Sequence, residues 1–123
     1  MRHQLPTPQT LLLLLENTPV RFVDRAILTE LDEDGEPRRR EVYGYYDDVH
    51  KEIVIARRRH RERKAAELVL TLIHELLHAT VPGASERWIR RHDLVYYSNA
   101  ELRQASAFKL LDAALYPEAI PDA

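Results

Sequence analysis

The chain has 123 residues, a formal net charge of −2 and no cysteine. This length supports one hydrophobic core, so we expect a single domain over residues 1–123. The lack of cysteine excludes disulfides and thiolate metal ligands, and the small net charge excludes an overall bias toward nucleic acid or anionic membranes. The apolar run at residues 11–15 is too short to span a bilayer, so no signal peptide and a cytoplasmic location are expected.

The N-terminal half of the chain predicts one helix followed by three strands. Thr7 and Pro8 are a typical N-cap and first-turn pair, and Asn17 and Pro19 end the helix that they begin. The strands that follow are rich in β-branched and tyrosine side chains and are separated by turn-forming residues. They cover residues 20–31, 41–46 and 51–56. We expect them to form a small antiparallel three-stranded sheet, a meander.

The C-terminal half predicts three helices. The first covers residues 64–80 and is broken by the Pro-Gly pair at 82–83. The second begins at residue 85 or 86, and a capping box at 98–101 opens the last. The apolar stripe expected for the last helix consists of Leu102, Ala105, Phe108, Leu111 and Leu115. The whole pattern predicts an α+β fold, with the small sheet packed on the first of these helices.

The helix at residues 64–80 contains an HExxH motif that is typical of a zinc site. His74 and His78 lie four residues apart, so their rings project from one helix face and can bind the same Zn²⁺ ion. Glu75 lies about 100° around the helix from His74. From there it can act on a water molecule beside the metal as a general base without being a ligand.

The distribution of polar residues around this helix supports a buried site. Polar side chains form one narrow stripe, namely Glu67, Thr71, His74, Glu75 and His78. Apolar side chains cover most of the rest, namely Leu68, Val69, Leu72, Ile73, Leu76 and Leu77. This pattern predicts a helix buried on nearly all sides whose polar stripe faces a cleft. Buried polar groups need partners, which a metal would supply; ordinary hydrogen-bonded core histidines are the alternative.

A catalytic zinc ion usually takes three protein ligands, so the sequence must supply one more. Glu86 is the first candidate, because the Pro-Gly break at 82–83 lets the chain fold back and present this carboxylate to the histidine pair. It could also be a first-turn acid that interacts with the helix dipole. His92 is the rival ligand, with a surface histidine as its alternative. Asp93 is either a partner that orients a ligating histidine or an exposed acid.

The motif region resembles the gluzincin type of zinc metallopeptidase, in particular small predicted metallopeptidases of bacteriophage and bacteria. The resemblance rests on residues 74–86, which read HELLHATVPGASE, and on YGYYD at residues 43–47 with the apolar strand at 53–55. It implies His74, His78 and Glu86 as zinc ligands and Glu75 as the base. The chain departs from larger gluzincins because Arg90, and not an aspartate, stands four residues after Glu86.

The chain is also similar to SprT-like proteases, which associate with DNA. That resemblance implies His92 as the third ligand. However, Asp93 replaces the glycine that usually follows this histidine, and no zinc ribbon follows.

These features predict hydrolysis of a protein or peptide substrate. The metal and Glu75 would activate water, and a further donor would stabilise the developing oxyanion. The donor candidates by position are Arg87, His92, Tyr96 and Tyr97. The strand at residues 51–56 could pair with an extended substrate if it is an edge strand.

Two other functions remain open in the sequence. The basic run at residues 57–64 could contact nucleic acid, although a solvated charged surface is the commoner meaning and no aromatic residue interrupts the run. A zinc ion could also stabilise an interaction protein without catalysis. The presence of Glu75 favours the hydrolase. The oligomeric state and the substrate's identity stay open.

Overall fold

The structure is a computed structural model that describes residues 4–57 and 65–115. The described residues form an α+β fold with four helices, a three-stranded sheet and a two-stranded sheet. The helices are α1 (Pro8–Asn17), α2 (Ala65–Thr80), α3 (Glu86–Tyr97) and α4 (Ala100–Leu115). The strands are β1 (Val20–Val23), β2 (Ala26–Leu31), β3 (Pro37–Val42), β4 (Gly44–Asp47) and β5 (Glu52–Ala56). Apart from Arg57, the predicted basic run lies outside these residues.

The predicted antiparallel meander is wrong in its strand bounds and in its order. The segment expected as one strand at residues 20–31 is divided into β1 and β2, and the segment at 41–46 is divided at Tyr43 between β3 and β4. The three-stranded sheet has the order β1-β5-β4, with β1 parallel and β4 antiparallel to β5.

The β2–β3 hairpin forms a separate two-stranded sheet because its charge keeps it out of the core. Arg38, Arg39 and Arg40 are exposed, and Arg40 Nη2 lies 2.9 Å from Glu30 Oε1 on the opposite strand. Burying these charges within the main sheet would be costly. The hairpin therefore pairs with itself, and its far end stands away from the apolar core.

Strand β5 is the centre of the main sheet. Ile53, Val54, Ile55 and Ala56 are completely buried, as expected for a strand that is covered on both faces. The expectation that residues 51–56 could be an edge strand for a substrate is therefore wrong. The two edge strands of this sheet are β1 and β4, and β4 is the one that packs against α2.

Helix α2 is the central helix, as its sequence predicts. Val69, Leu72, Ile73, Leu76 and Leu77 are buried, and they belong to a core cluster shared with β5, α1, α3 and α4. None of the helices within residues 4–57 and 65–115 combines the length and the apolar character needed to cross a membrane.

Gly44 allows β4 to lie directly against α2. A Cβ atom at this position would be 2.8 Å from the carbonyl oxygen of Val54 and 3.3 Å from Cγ2 of Thr71. Thr71 is one turn before His74 on α2. The glycine thus sets the distance between the edge strand and the helix that carries the histidine pair.

The helix starts follow the sequence with one exception. The hydroxyl of Thr7 accepts a hydrogen bond from the Thr10 amide at 3.2 Å, and Ser85 caps α3 in the same way through the Trp88 amide at 3.1 Å. The predicted cap of α4 is displaced by one residue, because Asn99 Oδ1 accepts the hydrogen bond of the Leu102 amide at 2.9 Å. Ser98 instead closes α3.

The apolar stripe predicted for α4 is correct at Leu102 and in part at Ala105, which is half-buried against the core, but it is wrong at its other three positions. The buried residues of this helix are Leu102, Ser106 and Leu110, which recur every four positions. Phe108 and Leu111 are 72% and 54% exposed, and Leu115 is exposed as well. The middle residue of this buried face is the small polar Ser106. A prediction that follows apolar residues alone therefore favours the neighbouring, exposed face of the helix.

Candidate metal centre

Helices α2 and α3 bring together the three side chains that the sequence suggested as ligands. Nε2 of His74 lies 2.6 Å from Oε1 of Glu86, and Nε2 of His78 lies 2.8 Å from Oε2 of the same carboxylate. One ligand atom from each residue lies within 4.8 Å of those of the other two. The turn at Pro82 and Gly83 makes this possible, because it reverses the chain between the two helices.

Asp93 orients the first histidine of the pair. Nδ1 of His74 is 3.0 Å from Oδ2 of Asp93, and Asp93 is only 8% exposed. Asp93 follows Glu86 by seven residues, which is two helical turns, so both carboxylates face α2. The sequence left two roles open for Asp93, and the structure shows that it is a buried partner of a histidine and not an exposed acid.

The hydrogen-bond geometry of His74 indicates why this arrangement suits a cation. A carboxylate only accepts hydrogen bonds, so an ionised Asp93 requires a proton on Nδ1 of His74. In a neutral ring Nε2 then carries a lone pair, and that lone pair faces a carboxylate oxygen at 2.6 Å. Two acceptors repel each other at this distance. Either a second proton or a metal ion between the two atoms makes the contact favourable.

The electrostatics of the other two groups favour the forms that bind metal. Burial lowers the pKa of His78, which favours the neutral ring, although Glu86 opposes this change. Partial burial acts to raise the pKa of Glu86, but the two histidines outweigh it and lower that pKa. A neutral imidazole and an ionised carboxylate are the species that coordinate divalent ions.

Glu75 lines the same cavity but is not one of the three candidate ligands. It is 7% exposed, and burial, reinforced by the charge of Glu86, raises the pKa of its carboxyl to about 8. A general base works best when its pKa is near the working pH. A cation at the candidate centre would lower this pKa and favour the ionised form.

An open cavity of about 860 Å³ adjoins the three candidate ligands. One wall is α2 with the start of α3, and the other is β4 with the inner face of the β2–β3 hairpin. Residues from the hairpin include Leu28, Glu30, Arg40 and Val42. A substrate bound here would therefore contact the hairpin as well as the candidate centre.

The structure separates His92 from the candidate centre. Nδ1 of His92 donates a hydrogen bond to the carbonyl oxygen of Trp88 at 2.8 Å, and the two rings are 4.4 Å apart. Among the described residues that line the cavity, His92 is not present, and neither are the other suggested oxyanion donors, Arg87, Tyr96 and Tyr97.

The polar side chains that do line the cavity include Arg40, Tyr43, Tyr45 and Arg90. Sequence reasoning missed the first three because it did not separate the hairpin from the main sheet. The position of Arg90 beside the site could have been predicted, because it follows Glu86 by one helical turn and therefore lies on the same helix face.

A second group of possible ligand atoms lies at the β4–β5 turn, formed by Asp47, His50 and Glu52. Its atoms already have partners. Oδ1 of Asp47 accepts the amides of Val49 and His50, and Oε1 of Glu52 lies 2.6 Å from Nη2 of Arg21. A guanidinium this close opposes cation binding, so we regard the group as a structural turn.

Asp93→Ala is expected to weaken zinc binding by roughly 10–100-fold, the usual cost of losing a carboxylate that orients a ligating histidine. The reason is that Nδ1 of His74 loses the acceptor that fixes the ring. Competition titration with a chromogenic chelator would measure the change. Asp112→Ala is the matched control, because Asp112 is an exposed residue of α4. Equal zinc affinities of the two variants would contradict the role of Asp93.

In comparisons with family models, curated proteins and solved structures, no match to this chain was found. The interpretation of the site therefore rests on its own geometry and chemistry.

Proposed function

We propose that this protein is a zinc-dependent metallopeptidase in which His74, His78 and Glu86 hold the metal and Glu75 is the general base. The observation that carries the proposal is the convergence of three ligand atoms within 4.8 Å beside a buried glutamate in one open cavity. A structural zinc site would use a fourth protein ligand, whereas three ligands beside a cavity leave room for water. We also propose that the fold is a minimal form of the zincin type.

The chemistry divides between the ion and the protein. When bound, Zn²⁺ would supply Lewis-acid activation of a water molecule and of the scissile carbonyl group. Glu75 takes the proton from the attacking water and delivers it to the leaving amine. Asp93 holds the ring of His74 so that Nε2 faces the metal position.

Strand β4 supports a way to bind the substrate. It is the last strand of its sheet, and Gly44, Tyr45 and Tyr46 line the cavity. An extended peptide can add to such an edge through main-chain hydrogen bonds. Because Gly44 keeps β4 close to α2, a peptide paired with this strand passes near the candidate centre.

The SprT-like alternative, with His92 as the third ligand, is less well supported. His92 is not among the described residues that line the cavity, whereas Glu86 already contacts both histidines of the motif. We propose a protein or a peptide as the substrate.

Zinc loading followed by a cleavage assay tests this proposal. We expect one zinc ion per chain by elemental analysis, and cleavage of a diverse peptide library detected by mass spectrometry. Cleavage should stop on treatment with 1,10-phenanthroline and return with added zinc. A peptide library is preferable to one protein substrate, because it samples many sequences and does not require a folded chain to fit between the two walls of the cavity. Purified protein that binds no zinc at equimolar concentration would refute the proposal.

A further inference from the structure

We propose that Arg90 binds a carboxylate group of the substrate at the rim of the cavity. This inference rests on the proposed peptidase function and adds a substrate class to it. The carboxylate could belong to an acidic side chain or to the C-terminus of a peptide, because the two groups have the same chemistry.

The position of Arg90 distinguishes it from the other arginines of α3. It lies one turn after Glu86, lines the cavity, and its Nε is 3.4 Å from Oε1 of Glu86. Arg87 and Arg91 are exposed on the same helix, yet neither is among the described residues that line the cavity. One guanidinium of α3 is thus directed toward the space where a substrate would lie.

The contact between Arg90 and Glu86 is weak enough to be exchanged. The distance of 3.4 Å is longer than the 2.9 Å that joins Arg40 to Glu30 within the β2–β3 hairpin. When Glu86 ligates a metal ion, it shares its negative charge with that ion. Its attraction for the guanidinium then falls, and Arg90 becomes available for another anion.

Several other charged groups around the cavity are already paired more closely. Arg40 is held by Glu30, Glu41 by Arg25 at 2.9 Å, and Asp93 by His74. A substrate carboxylate would have to break such a pair to use Arg40. Arg90 requires the smallest rearrangement.

The exposure of Arg90 favours substrate recognition over a role at the reacting carbonyl. Its side chain is 74% exposed, whereas donors that stabilise an oxyanion are held rigidly in a site from which water is excluded. A planar guanidinium can make two parallel hydrogen bonds to a carboxylate. That geometry suits an exposed side chain that meets its ligand at the rim.

Peptide binding, measured without turnover, tests this inference. The protein would be the zinc-loaded Glu75→Gln variant, and the probes a fluorescent six-residue peptide series. One glutamate is moved through every position, each peptide has a glutamine counterpart, and each is made as a C-terminal acid and as an amide. We expect the best carboxylate peptide to bind roughly 3–10-fold more tightly than its uncharged counterpart, as for a partly exposed ion pair.

Three arginine variants in the same background identify the residue responsible. Arg90→Gln should remove the preference for the carboxylate, whereas Arg91→Gln and Arg40→Gln should keep it. The side-chain and C-terminal series separate the two sources of the carboxylate.

Equal affinities for charged and neutral peptides, no binding of any peptide, or a preference that survives Arg90→Gln would each overturn the inference. Cleavage of neutral peptides by the wild type would meanwhile leave the proposed function intact. Failure to bind zinc would instead refute the proposed function, on which the inference rests.

Discussion

Glu75→Gln is expected to lower the rate of peptide hydrolysis by roughly 10²–10⁴-fold, the usual contribution of a general base, while one zinc ion per chain is retained. The amide has nearly the shape of the carboxylate but cannot accept the proton of water. Among the described contacts, Glu75 makes no hydrogen bond to any of the three candidate ligands, so the metal should stay. Initial rates on the best library peptide, with zinc measured in the same samples, would check this result.

Glu67→Gln is the matched control, because Glu67 is also on α2 but is exposed and does not line the cavity. It should hydrolyse the peptide at nearly the wild-type rate. Hydrolysis by the Glu75→Gln variant at the wild-type rate would show that another group accepts the proton.

The same substitution should change how the stability of the metal-free protein depends on pH. Burial raises the pKa of Glu75 from 4.5 to about 8, so the folded state holds this proton more tightly than the unfolded state. The wild type therefore loses stability as pH rises from about 4.5 to about 8, whereas glutamine has no proton to lose. At pH 7 the difference is at most about 3 kcal/mol in favour of the variant.

Denaturant unfolding of both proteins with chelator present, at pH 5 and pH 8, measures this difference. The advantage of the variant should be small at pH 5 and larger at pH 8. Equal stabilities at pH 8 would mean that Glu75 is solvated or paired in the metal-free protein.

Glu86→Ala is expected to reduce zinc affinity by more than the roughly 10–100-fold that loss of a histidine's partner costs, and to abolish hydrolysis. The carboxylate touches both histidines, with Nε2 contacts of 2.6 and 2.8 Å. Without it, two imidazoles alone would hold the ion. Zinc titration by isothermal calorimetry would measure the loss.

His92→Ala is the decisive companion variant, because His92 was the rival ligand in the sequence. It should bind zinc as tightly as the wild type, since His92 is not among the described residues that line the cavity. Loss of zinc in His92→Ala with retention in Glu86→Ala would favour the SprT-like alternative.

The parts of the structure that the sequence predicted depend on local periodicity. The bounds of α2 and the burial of its apolar faces follow from an uninterrupted stretch with one polar stripe. The helix start at Ser85 follows from a cap after a Pro-Gly break. His74 and His78 share a face for the same reason, because one helical turn fixes their relation.

The parts that were missed depend on contacts between distant segments. Strand order requires knowing that the charged β2–β3 hairpin leaves the sheet, which allows β1 to pair in parallel with β5. The role of Asp93 was ambiguous in the sequence, because this residue becomes buried only when α3 packs on α2. On α4 a buried serine replaced an apolar residue, so hydrophobicity indicated the wrong face.

The chain reverses direction between α2 and α3 within residues 81–85, and the candidate ligands lie on both sides of that reversal. An ion held there would join these two helices directly, in addition to the apolar packing and the histidine–carboxylate contacts between them. Folding and metal uptake would then be linked by mass action, so the supply of zinc would govern the stability of the folded chain as well as its chemistry.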